Sequence, residues 1–109
     1  MTTNRGPGIY ADQGGTDWVL VNAAFVTAGG TIKGAPGRLC NITILSSPTS
    51  AAAVFNDCAA ASGAASANEF YAIAQNTTAG GPPIDLEWPC NVGIVCSAAG
   101  GGTFAVSFS

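Results

Sequence analysis

The apolar residues of this chain come in short runs, and glycine and proline cut nearly every one of them. The 109 residues include 15 Gly and 6 Pro. No apolar stretch approaches the ~20 residues of a membrane-spanning helix. Where a period is visible it is two. Cys40, Ile42 and Ile44 alternate with polar neighbours between Arg38 and Leu45. Ile84, Leu86 and Trp88 alternate with Asp85 and Glu87, and residues 103–108 alternate strictly. A period of two places one set of side chains on a single face of an extended strand.

Further strands are expected in residues 17–26, Thr31–Lys33, around Val54-Phe55, in residues 69–74 and in Val92–Cys96. Gly29-Gly30, Gly34–Gly37, Ser46–Ser50 and Ala99–Gly102 read as turns. The Ala/Ser-rich stretch 59–68 has a helical composition, but Gly63 interrupts it and it has no large apolar stripe. A loop or short edge segment is expected there. About eight short strands at ~8–12-residue spacing indicate an all-β, antiparallel sandwich of jelly-roll type. Residues 1–16 show no period and read as an irregular N-terminal arm, with a single domain over 17–109.

Composition narrows the function. There is no His, and only 8% of residues are charged, against about 25% in ordinary soluble domains. The formal net charge is −3, and Arg5, Lys33 and Arg38 form no basic run. Nucleic-acid binding and a polybasic membrane contact therefore have no electrostatic footprint. Without His, a catalytic site lacks the side chain that titrates near neutrality. Asp85 and Glu87 lie two apart on one strand, which suits a solvated face better than the facing carboxylates of glycoside hydrolysis. Ser46, Ser47 and Ser50 have no His to activate them. The expectation is no enzyme, no cofactor and no metal. A surface this neutral suits a protein packed against copies or partners.

Cys40, Cys58, Cys90 and Cys96 include no CxxC pair and find no His to complete a zinc site. Cys40 is expected on the face of Ile42 and Ile44, and Cys96 alternates with Ile94, as small buried hydrophobes do. The even count would also admit two disulfides, in any of three connectivities. Asn41 and Asn76 head N-x-T triplets, and Asn41 is expected within a core strand, where a glycan has no room. Trp88 is expected in the core beside Ile84 and Leu86. Arg5, Tyr10 and Trp18 are the candidate contact residues, offering a cation and two amphipathic rings. No apolar run follows Arg5 to mark a secretory leader.

The order Gly37–Ile44, Val54–Asp57, Trp88–Val95 and Thr103–Phe108 resembles the small β-sandwich capsid decoration, or cement, proteins of tailed bacteriophages. Those show G-x-L-x-x-I-x-V, a short strand ending in Asp-Gly, G-I-x-V, and a terminal V-x-V-x-Y strand. The resemblance spans residues 16–109. It departs at Asp57-Cys58, where Asp-Gly is usual, and in the four cysteines. It implies a virion structural protein on the capsid exterior, assembled in the host cytoplasm. It further implies a homotrimer bound to the major capsid protein, with no catalytic residues. A carbohydrate-binding module of a tail or host-surface structure is the alternative, resting on Trp18 and Tyr10.

Overall fold

The computed structural model describes residues 21–109. Eight strands follow one another: β1 Asn22–Val26, β2 Gly30–Lys33, β3 Gly37–Ser46, β4 Ala53–Asn56, β5 Glu69–Ile73, β6 Ile84–Cys90, β7 Ile94–Ala98 and β8 Thr103–Phe108. They form two four-stranded antiparallel sheets, β1-β8-β3-β6 and β2-β7-β4-β5. The first strand pairs with the last, the second with the seventh, the third with the sixth and the fourth with the fifth. Pairings of β3 with β8 and of β4 with β7 complete the two sheets. A long antiparallel hairpin rolled on itself gives this order, which is that of a jelly roll.

Alternation supplies the core. The first sheet turns Leu39, Ile42, Ile44, Phe104 and Val106 inward, and the second turns in Ala53, Phe55, Ile73, Ile94 and Cys96. Phe55 and Phe104 meet edge to face at 6.3 Å between ring centroids, and Tyr71 lies 6.4 Å from Phe55. Burying each such ring or branched chain contributes about 1.5–3 kcal/mol before the cost of ordering it.

The turns are held as firmly as the strands. Gly100 and Gly101 take φ of 62° and 84° in the β7–β8 turn. A Cβ at Gly100 would run into the Ala51 carbonyl. Close approach allows the amides of Ser50 and Ala51 to donate to the Gly100 carbonyl, at 2.9 and 3.4 Å. Backbone from the β3–β4 connection is thereby tied to this turn, a conformation that suits only glycine at low cost.

Two expectations are corrected. Cys40 does not share the core face of Ile42 and Ile44. The β3 register shifts between Leu39 and Asn41 against both of its neighbours. An extra residue resets the alternation, so Leu39 takes the inward place and Cys40 lies outside the inter-sheet core. Asn41 lies in the internal strand β3 as expected, half-buried and opposite Asp85 on β6. Trp88, expected inside, is 45% exposed. It sits on edge strand β6 just past Glu87, whose φ of 49° marks the break in alternation. Its ring stacks on Phe70 of β5 at 5.9 Å and 3°, across the open side of the sandwich. The Ala/Ser stretch forms two single 3₁₀ turns, Ala61–Gly63 and Ser66–Asn68. All four cysteines are buried and free.

Candidate functional site

The two sheets differ on their outer sides. On the second sheet, residues 57–68 between β4 and β5 fold back over β7. Val95, on the opposite side of β7 from Ile94 and Cys96, is thereby fully buried. Asn56, 2% exposed, anchors the cover. Its amide donates to the Ala65 carbonyl (3.0 Å) and to Asn68 Oδ1 (2.9 Å), and its own oxygen accepts from Ser97 Oγ (2.7 Å). Asn68 in turn accepts from the Ala65 amide and donates to the Gly63 carbonyl.

Asp57 fastens the other end. Its carboxylate accepts from the amides of Asn91, Val92 and Gly93 at 2.9, 2.8 and 3.1 Å, which closes the β6–β7 turn against β4. Partial burial works against its charge, but the three amide donors outweigh burial and hold its carboxyl below the usual range. A Cβ at Gly93 would meet the Cys58 carbonyl and, at 2.8 Å, the Lys33 carbonyl. Glycine is required for this close crossing.

No described segment covers the first sheet in this way. Register aligns its outward side chains in rows: Ala23, Ser107, Asn41 and Asp85 in one, Phe25, Ala105 and Thr43 in the next. Asp85 is the one charge in these two rows. Phe25 is 77% exposed, and Val21 and Leu45 are about half exposed. Two open clefts, of about 580 and 260 Å³, share Asn41 and Ser107 and so form one groove along this face. Arg38, Cys40 and Glu87 lie at its wider end, where Arg38 donates to the Glu87 carbonyl at 3.3 Å. Ser107 Oγ is buried in the floor with no hydrogen-bond partner among the described residues.

Burial, then the neighbouring Glu87, pushes the Cys40 thiol up, with Arg38 opposing, so the thiol stays protonated near neutrality. Burial pushes Cys90 and Cys96 up to about 11. Among the described residues no three His, Cys, Asp or Glu side chains gather closely enough to hold a metal ion.

Of the sequence-derived candidates, Arg5, Tyr10 and Trp18 lie outside the described residues, as does the boundary at residue 16. Asp85 and Glu87 are exposed as expected. The sequence reading missed Phe25 and its row. The available signal was the alternation of Ala24 and Val26 with Ala23 and Phe25, which puts the largest side chain of β1 on the face away from the core. The Asn56 and Asp57 anchors carried no signal, because both depend on partners nine to 41 residues away. Comparison of the chain with protein-family models, curated proteins and solved structures finds no match.

Proposed function

We propose that this chain is a virion structural protein, a decoration or cement protein that binds the shell of the major capsid protein and stabilises it. The observation that carries the reading is the outer face of β1-β8-β3-β6, which no described segment covers, whose charges lie at its β6 side and wider end and from whose β1 side Phe25 projects. With Val21 and Leu45 about half exposed on the same face, Phe25 belongs to an apolar patch of the kind found at interaction sites. The low overall charge points the same way, since it leaves the rest of the surface weakly defended against association. A protein that binds only the assembled shell stabilises it by mass action. Homotrimers would match local threefold axes, and the place of action is the capsid exterior after assembly in the host cytoplasm.

Quantitative mass spectrometry of purified particles whose genome encodes the chain tests this reading. Copies in fixed proportion to the major capsid protein are expected, with Phe25→Ser lowering occupancy at least tenfold. A few copies per particle, or none, would sink it. One observation favours a second reading, a carbohydrate-binding module: Trp88 is half exposed beside Phe70, a ring pair of the sort that sugars stack on. Glycan-array binding that Trp88→Ala abolishes would select it.

A further inference from the structure

We infer that the groove on the outer face of β1-β8-β3-β6 receives residues 1–20 of a second copy of this chain. The inference rests on the assembly reading above and names the contact between copies.

Size is the first argument. Four strands of five to ten residues, at ~3.3 Å per residue and ~4.8 Å per strand, make a face of roughly 400–450 Å². A standard interface takes about 800 Å² from each partner. A footprint of this size is small for a flat pairing of two such faces. An arm laid along the groove adds area without a second flat face.

Position and length are the second. Residues 1–20 end at Val21, which lines the wide end of the groove. Fully extended they reach up to about 70 Å, well beyond a face about 25 Å long. β1 runs away from this end, with Asn22 opposite Phe108 and Val26 opposite Phe104. β1 thus begins at the Phe108–Ser109 end of the sheet, so a segment ahead of Asn22 would have to reverse to enter its own groove and would not have to reverse to enter a neighbour's.

Shape is the third. The floor is built of small side chains, Ala23, Ala105, Ser107 and Thr43, with the unpartnered Ser107 hydroxyl in it. The segment ahead of Val21 holds the complementary bulk in Ile9, Tyr10, Trp18, Val19 and Leu20. Large rings seated over small residues bury the most apolar area per ordered side chain. An arriving backbone or hydroxyl would also satisfy the Ser107 oxygen.

The test uses the full chain with Tyr10→p-benzoylphenylalanine, a photo-cross-linking side chain, in an equal mixture of isotopically heavy and light protein. Irradiation and peptide mapping should give heavy-to-light links into Asn41–Thr43 or Ala105–Ser107. Ala105→Trp, which fills the floor, should reduce those links at least tenfold with the circular dichroism spectrum unchanged. Thr43→Lys serves as the second blocking variant should the first disturb the fold. Links confined to a single copy, links to any other surface, or links that survive both blocking variants overturn the exchange. The same mixture is irradiated on particles: links from position 10 to the major capsid protein would overturn the exchange while leaving the assembly reading standing. Failure to bind particles at all would remove that reading too.

Discussion

The second sheet carries its own cover, while the first presents a row of small residues and an exposed phenylalanine. Residues 57–68 are fastened over β7 by the hydrogen bonds of Asn56 and by the carboxylate of Asp57. The same chain, with the same scarcity of charge, treats two equivalent surfaces in opposite ways. One outer face has been made part of the folding unit, so its residues act through stability. No described segment covers the other, and on the proposed reading its residues act through association. A polar group buried under the cover must find partners, since leaving it unpaired costs about 1–3 kcal/mol. On the bare face the same requirement falls on Ser107, whose buried hydroxyl has no partner among the described residues.

The largest effect expected from breaking this contrast is alkaline. Cys90 and Cys96 ionise at about 11 in the folded protein, above the ordinary thiol value of 9.0. A raised thiol pKa stabilises the fold fully below the unfolded value, and this contribution is lost as pH climbs toward the folded one. Stability should hold to about pH 9 and decline by pH 11, by roughly 1–2 kcal/mol for each thiol once partial solvent screening is allowed for. Urea midpoints across that range check it. A flat profile would mean that the two thiols are not sealed from water.

Asn56→Ala comes next. It removes one donor group and one acceptor at once, leaving Ser97 Oγ only its longer bond to the Val54 carbonyl, at 3.5 Å, and the Ala65 carbonyl without its side-chain donor. A loss of about 3 kcal/mol is expected in urea unfolding. A cost below about 1 kcal/mol would show that the cover is dispensable and that the two faces are energetically alike.

Asp57→Ala should cost about 2 kcal/mol, because three amides lose a charged acceptor that is partly solvated. Its lowered pKa fixes the sign with pH. The stabilisation is present above the unfolded value near 3.8 and disappears as pH falls through the folded value. The variant should therefore differ from the parent at pH 7 and converge on it in strong acid. A gap independent of pH would assign the loss to something other than the carboxylate charge.

The smallest expected change in stability is on the bare face. Phe25→Ser should shift unfolding by no more than about 0.5 kcal/mol, since the ring is mostly in water already. If Phe25→Ser destabilised the monomer as strongly as Asn56→Ala, the first sheet would be a folding surface and the contrast would collapse. Sedimentation velocity at matched concentrations separates loss of association from loss of fold.

Much of this architecture was legible in the residues. Thr103–Phe108 alternates strictly and is a strand with Phe104 and Val106 in the core. Glycine and proline marked the breaks, so the number of strands and the sandwich followed from spacing. Alternation misled at two places for one physical reason. Cys40 and Trp88 each lie where an extra residue changes the parity of a strand, and a bulge is set by the neighbouring strand rather than by local sequence. The Ala/Ser stretch could be recognised as irregular, but not as a cover, because its anchors lie on β4 and β7.

The sequence by itself determined the strand count, the antiparallel sandwich and the scarcity of ionisable chemistry, because period two and composition are local properties of a chain. The tertiary structure alone decided which strands pair, and so which of two similar outer faces is covered. It gathered Ala23, Phe25, Thr43, Ala105 and Ser107 from three strands that are distant in sequence. Long-range pairing creates that surface, and no run of neighbouring residues encodes it.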